Sequence, residues 1–549
     1  MNTCKKCQSS FQITQGDHAY YDKIKVPAPT LCPPCREQRR LAFRNERQFY
    51  KRKCDLCNKD IISIYSPDKD HTVYCSDCWW SDNWDASKYA RNYDFSRPFF
   101  DQFKELMETV PQIALMNLHN ENSEYVNQCY GCKSCYMTIA TDLSEDCYYA
   151  DHCFNSKDCV ESLGLHECQY CYECIDCIKC YQCYFSQDLT GCTDCWFSHS
   201  LRNCKNCFGC TNLRNKEYYI FNEPVSKEEW AQKMKSLQLT PQLVDQLKKQ
   251  AKEKSLKYPH LYTIINNCED CTGSYLTNCK NSHTCFESTG CEDCKYCTLI
   301  PETTKDSYDN SGGAGELLYE SFSTGGPGQN CRFCGWCWNG VHNLTYCILC
   351  NNSSHDLFGC VGMRKKEYCI LNKQYSQEEY EEIVEKIIEQ MKEDGEWGEF
   401  FPGNISPFGY NETVAQEHYP LTAESAKKQD FPWSQYKTDT PNLPKKSAQE
   451  IPKTSDQITD DLLNYIFECK KTSRPFRFTK QELEFYKKHN LPLPFTHPDV
   501  RSSERLSQRP PRKLWKRECA KCSAPIETSY APDRPEIVYC RECYLGEMY

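Results

Sequence analysis

Between residues 135 and 207 cysteine returns every twelve positions: Cys135, Cys147, Cys159, Cys171, Cys183, Cys195 and Cys207. Three positions before these rungs runs a second series, Cys132, Cys168, Cys180, Cys192 and Cys204, with Ser144 and Ser156 in the same register. A third track holds Cys153, Leu165, Cys177, Leu189, Leu201 and Leu213. Directly after the first track come Tyr136, Tyr148, Val160, Tyr172, Tyr184, Trp196 and Phe208. Like side chains at a fixed short period predict a β-solenoid, in which each coil stacks its residues on the coil below. A 24-residue coil with two faces fits the same spacings.

The pattern is duplicated. "FGCTNLRNKEYYIFNEPVSKEEW" (208–230) returns as "FGCVGMRKKEYCILNKQYSQEEY" (358–380), and the same offset of 150 pairs Tyr125, Cys129 and Cys135 with Tyr275, Cys279 and Cys285. Each copy ends in a predicted capping box, Ser226 with Glu229 and Ser376 with Glu379. A second duplication encloses the first: residues 4–78 match residues 469–543 without a gap at 27 of 75 positions. The expected order is a pair of small cysteine-bearing modules (1–80), a helical connector (81–120), Cys-rich solenoid copy 1 (121–225), helices (226–260), solenoid copy 2 (261–375), a helix (376–397), a Pro-rich linker (398–465) and a terminal module that duplicates 4–78 (466–549). "SRPFFDQFKELMETVP" (96–111) reads as an amphipathic helix begun by Ser96 and ended before Pro111. Residues 301–330 read as a Gly-rich loop inserted in copy 2, and 398–455, with seven prolines, as part of a mobile linker. The fold class is therefore mainly β, with short amphipathic helices.

Composition decides how the cysteines are read. The chain has 44 cysteines in 549 residues. Its first residues carry no basic stretch followed by an apolar run, and no apolar run of ~18 residues occurs anywhere. The expectation is a cytoplasmic protein without membrane contact, whose thiols stay reduced. In "CYECIDCIKCYQC" (171–183), Cys171, Cys177, Cys180 and Cys183 lie on the three tracks and Cys174 stands off them. The run lacks the three-residue gap and following proline of a ferredoxin motif. Packed neutral thiols are the favoured reading of the lattice, because free cysteine behaves as a small buried hydrophobe and a column of thiolate–metal sites would repel itself. Metal-bound or disulfide-bonded rungs are the alternatives. The aromatic residues after the first track would form an outward stripe, open to bases, sugars or a partner, or else covered by the helices or the other copy.

The end modules carry different chemistry. Cys54, Cys57, Cys75 and Cys78 form a CxxC…CxxC tetrad, and Cys519, Cys522, Cys540 and Cys543 repeat it at identical spacing. Cys4, Cys7, Cys32 and Cys35 make a third. Two such turns close a tetrahedral site with no open position, the structural form of zinc binding. The counterpart of the third tetrad is broken, with Cys469 kept but Thr472, His497 and Val500 in the other places. About three zinc ions are expected.

The stretch "CKKCQSSFQIT…YYDKIKVPAPTLCPPCR" resembles the zinc-ribbon (treble-clef-like) family of small bacterial domains. With "WWSDNWD" and the "FGC" repeats, the whole is similar to uncharacterised cysteine-rich zinc-ribbon proteins of candidate-phyla bacteria. The resemblance implies zinc and a bacterial source and brings no activity with it.

Between the cysteine pairs of each end module runs a basic strip on a chain of net charge −10. Six positions are basic in both copies: Arg36 and Arg501, Arg40 and Arg505, Arg44 and Arg509, Arg47 and Arg512, Lys51 and Lys516, Arg52 and Arg517. Clustered charge suggests contact with phosphates of RNA or a ribonucleoprotein. The competing reading is a helix face paired with the acidic solenoid. No HExxH, GxSxG, phosphate loop or dinucleotide fingerprint occurs. The expected function is a non-catalytic zinc-binding scaffold binding RNA through its ends; a protein-binding scaffold, or an enzyme using Cys174 or a metal, is the alternative.

Overall fold

A computed structural model describes residues 1–326, 328–437 and 441–548. Its organising feature is a backbone conformation that repeats every third residue. From Ser134 to Phe221, each third position has φ between 47° and 71°. A left-handed residue turns the chain, so twelve residues make a coil of four short sides. β-Bridges link residues twelve apart, Tyr136 to Tyr148, Val160, Tyr172, Tyr184 and Trp196 in succession, which selects the twelve-residue coil over the 24-residue one.

Four sides give four inner tracks, one more than the sequence pattern showed. The fourth holds Val126, Thr138, Ala150, Ser162, Cys174, Ser186, Ser198 and Cys210, all buried except for minor exposure. Cys174 is therefore a rung of the lattice and not an outlier.

The inner wall explains why its residues are small and weakly polar. Inner backbone N–H groups point inward and take acceptors from the coil below: Cys153 donates to Thr141 Oγ1 (3.3 Å), Ser156 to Ser144 Oγ (3.1 Å) and Cys174 to Ser162 Oγ (3.3 Å). Inner thiols in turn lie against carbonyl oxygens two residues back and nine ahead, as Cys168 does with His166 (3.3 Å) and Cys177 (3.3 Å). Serine, threonine and cysteine side chains give these backbone groups partners that the leucines of the third track cannot supply.

Copy 2 uses the same construction with longer coils. Lys295 pairs with Tyr308, and Gln329, His342 and His355 follow one another, at intervals of thirteen. The stretch 301–330, expected to be an inserted loop, instead forms solenoid strands Tyr308–Ser311, Gly315–Phe322 and Gly328–Arg332. Its glycines serve close approach: a Cβ on Gly315 would lie 2.1 Å from the Gly328 carbonyl oxygen.

Helices cap and cover the coils. In the N-terminal module lie α1 (Gln15–Lys23) and α2 (Pro33–Leu41). Helix α3 (Phe99–Thr109) starts after Pro98, later than the expected Ser96, which is held in a turn by Asp94. Copy 1 is followed by α4 (Lys227–Ser236) and α5 (Pro241–Ser255), and copy 2 by α6 (Gln377–Glu393). Both capping boxes form, at Ser226–Glu229 and Ser376–Glu379. In the C-terminal module α7 (Lys480–Lys488) and α8 (Pro498–Leu506) stand at the positions of α1 and α2.

The aromatic stripe of copy 1 is covered. Tyr148, Tyr172, Tyr184, Trp196 and Phe208 share a buried cluster with Trp230, Val244 and Leu247 on α4 and α5, and with Leu483, Phe485 and Tyr486 on α7. The described parts of 398–465, residues 398–437 and 441–465, were expected to belong to a mobile linker but contribute buried core instead. Phe400, Phe401, Phe408 and Tyr410 are buried, and short helices run over Val414–His418 and Ala423–Lys428. The region's aromatic residues supply core, and that burial outweighs the local lack of periodicity. Among the described residues no helix is long and apolar enough to cross a membrane.

Candidate metal centres

Each tetrad is built from a knuckle and a helix start. At Cys54 the backbone closes a tight turn, with Cys54 N–H on Lys59 O (2.8 Å), Asn58 N–H on Cys54 O (2.8 Å) and Asn58 left-handed at φ 61°. Cys4 and Cys519 repeat this turn with Gln8 and Ser523 at the left-handed position. The second pair sits at a helix N-terminus: Cys32 precedes α2, Cys75 precedes the turn Ser76–Trp80, and Cys540 precedes Arg541–Met548.

In Cys4/Cys7/Cys32/Cys35, Cys54/Cys57/Cys75/Cys78 and Cys519/Cys522/Cys540/Cys543, all four sulfurs lie within 4.8 Å of one another. Measured Sγ–Sγ separations are 3.6 Å for Cys7–Cys32, 3.9 Å for Cys57–Cys75 and 3.8 Å for Cys522–Cys540. A tetrahedron with ~2.3 Å metal–sulfur bonds has edges of about 3.8 Å, so each site can hold a metal ion. Burial pushes the Cys54 thiol up, but backbone amides of Cys75, Cys57 and Leu56 more than offset this and bring it down to about 7. Cys519 is likewise brought to about 6, against burial, by the amides of Cys540, Cys522 and Lys521.

The broken tetrad keeps the knuckle without the ligands. Cys469 N–H bonds Arg474 O (2.9 Å) and Ser473 N–H bonds Cys469 O (2.9 Å). His497 uses Nδ1 to accept the Asp499 N–H (3.1 Å) and cap α8. Among the described residues neither this set nor the solenoid cysteines form a group with metal-ligand geometry. Cys174, the proposed nucleophile of the enzyme reading, is fully buried, and burial holds its thiol well above the usual range.

The basic strips turn inward. Arg36 donates through Nε to Asp309 (3.0 Å) and through Nη1 to Leu31 O (2.7 Å), while Arg40 contacts Asp309 (3.3 Å) and Glu320 (3.1 Å). At the other end Arg501 donates through Nε to Glu161 (2.7 Å) and through Nη1 to Thr496 O (2.6 Å), and Arg505 pairs with Glu161. The acceptors occupy matching places. Counting coils back from Phe208 and Phe358, the bridge partners reach Val160 and Tyr308, so Glu161 and Asp309 follow equivalent residues. The N-terminal module thus grips copy 2 and the C-terminal module grips copy 1. The aromatic packing repeats too, with Tyr21 against Tyr319 and Tyr486 against Tyr172, ring centroids 5.6 Å apart in both.

The remaining arginines are paired inside the molecule as well, though not crosswise: Arg47 reaches copy 1, Arg512 reaches copy 2 and Arg509 spans both. Arg44 pairs with Glu46 (2.5 Å), Arg47 with Asp151, Arg509 with Asp176 and Glu287, and Arg512 with Glu287 (2.9 Å). Arg36, Arg40, Arg44, Arg501, Arg505 and Arg509 are at most 9% exposed, so their expected role in binding phosphates is corrected: they are intramolecular pins. Arg52 and Arg517 are half-buried against His71 O and Ala531 O, leaving Lys51 and Lys516 exposed. Sequence reasoning missed the partners Glu161, Asp309 and Glu320, because nothing in a local pattern marks a carboxylate that must meet a module hundreds of residues away.

A cleft of about 730 Å³ separates copy 1 and α5 from the C-terminal module. Its walls include Asp188, which accepts from Tyr275 Oη (3.0 Å) and faces His199 Nε2 (3.2 Å). No protein-family model and no curated protein matches the chain. Among solved structures, a protein assigned as an acetyltransferase from Desulfovibrio desulfuricans G20 aligns over 51% of this chain and 81% of its own, at 8% identity and a TM-score of 0.10. So low a score carries no argument about fold or function.

Proposed function

We propose that this chain is a non-catalytic zinc-binding scaffold, in which metal-stapled terminal modules lock two thiol-lined solenoids into one body that displays surfaces to a protein partner. The observation that carries this reading is the crosswise clamp. Equivalent arginines of the two modules reach equivalent carboxylates of opposite solenoid copies, a use of charge that serves assembly. Three all-thiolate sites leave no position for substrate or water, which supports structural metal, and zinc is the ion such donor sets favour. The same inward use of the arginines argues against RNA as the ligand. A cytoplasmic, reduced setting suits thiols that pack unpaired.

The test is titration with a labelled RNA at low salt. The scaffold reading expects no binding beyond weak, salt-labile contact that disappears in K51Q/K516Q. Tight binding that survives those substitutions would return RNA to first place, and turnover of any acyl or phosphoryl substrate in the 730 Å³ cleft would overturn the non-catalytic reading.

A further inference from the structure

Copy 2 carries two ladders side by side on its outer face. Gln329, His342, His355 and Glu367 stack on successive coils, and the next residue of each coil gives Asn330, Asn343 and Asp356. Amides link the second ladder, Asn330 Nδ2 to Asn343 Oδ1 (2.8 Å) and Asn343 Nδ2 to Asp356 Oδ1 (2.9 Å). Asp356 is where the amide run changes to a carboxylate, directly beside the two histidines. The imidazoles of His342 and His355 stack with centroids 4.6 Å apart and planes 12° from parallel. His355 Nδ1 lies 2.8 Å from Asp356 Oδ2, and its Nε2 lies 3.1 Å from Glu367 Oε2. Ligand atoms of His342, His355 and Asp356 all fall within 4.8 Å of one another.

We propose that His342, His355 and Asp356, with Glu367 beside them, form a fourth metal site for an exchangeable first-row divalent transition ion. Two imidazole nitrogens and a carboxylate are the donors such ions accept, and they differ in kind from the all-sulfur tetrads. The site is partly exposed, with the His355 and Asp356 side chains 27% and 25% accessible, so coordination positions remain open to solvent. His342 is likewise only half-buried.

Copy 1 supplies an internal control. On the same backbone, the places of His342, His355, Asp356 and Glu367 are taken by Thr193, Lys205, Asn206 and Glu217. The coil therefore folds without histidines or an aspartate there. In copy 2 both carboxylates lie against His355, with His342 stacked on it, where Lys205 holds the place of His355 in copy 1.

The experiment uses full-length protein with its thiolate sites zinc-loaded, dialysed against Co²⁺ alone. One further equivalent of cobalt should bind, with weak d–d bands and no new thiolate-to-cobalt charge transfer. H342A and H355A should each weaken that equivalent at least ~10-fold. D356N restores the amide found at Asn343 and Asn206 and is expected to melt like wild type while losing cobalt affinity by ~10-fold or more. Zinc retained in the tetrads is counted separately, so loss of a thiolate site is not mistaken for failure of this one. Absence of a saturable fourth equivalent at millimolar Co²⁺, undiminished binding in H342A/H355A, unchanged affinity in D356N, or a charge-transfer band on the extra equivalent would each overturn the proposal.

Discussion

Replacing Glu161 with glutamine tests the clamp at its most exposed point of logic. Glu161 is fully buried and is the carboxylate that Arg501 and Arg505 share. The substitution keeps shape and removes charge, leaving two guanidinium groups in a site closed to water. Glu482, 3.9 Å from Arg501, is a poor replacement, because its carboxylate is already engaged in capping α7 through the Thr479 N–H (2.7 Å). Removing one partner from a buried ion pair costs about 3–5 kcal/mol, which corresponds to more than ~100-fold in the equilibrium for releasing the module. Hydrogen exchange should therefore accelerate by that factor in α7 and α8, while solenoid amides such as those of Cys195 and Cys207 stay protected. D309N is the calibrating variant. Glu320 still faces Arg39 (2.9 Å) and Arg40 (3.1 Å), so its loss at the other end should be smaller. Unchanged exchange in E161Q, or an effect no larger than in D309N, would refute the account of the clamp.

Three further outcomes are expected. Chelation of metal should unfold both terminal modules, seen as protease cleavage within 1–80 and 510–548, while the β signal of the solenoids in circular dichroism persists. In the metal-loaded native protein an alkylating reagent should react quickly with only Cys268 and Cys271 among the solenoid thiols, since the others are buried; mass mapping of labelled peptides reads this directly. Burial holds His260, His489 and His497 down to about 4, against about 6.5 when unfolded, so the unfolded chain takes up protons first as pH falls and stability drops from about pH 6.5 toward 4. H489Q should flatten the dependence of the denaturation midpoint on pH across that window, and an unaltered slope would remove His489 from it.

How much could be read from the sequence depended on the range of the signal. The twelve-residue tracks were visible because cysteine repeats on them, whereas the three-residue corner was hidden: Ser162, Cys174 and Ser186 share an inner track but not a residue type. The thirteen-residue coils of copy 2 broke the expected offset, so real solenoid between 301 and 330 looked like loop. The three cysteine tetrads were legible as clusters, since CxxC spacing is itself the geometry. The arginines were legible as a repeated set but not as pins, because direction toward solvent or interior is decided by tertiary docking. Proline content misled at 398–465 for the same reason: its core residues bury against partners far along the chain.

Three all-thiolate clusters at the two ends of the chain can each hold a metal ion, and zinc is the ion proposed for them. Elemental analysis of purified protein, washed with a weak chelator to strip exchangeable ions, tests that assignment most directly. The account predicts three zinc ions per chain, retained together with the docked modules. Mainly iron, fewer than two zinc ions, or many more than four would contradict it, the last by placing metal on the cysteines of the solenoid wall.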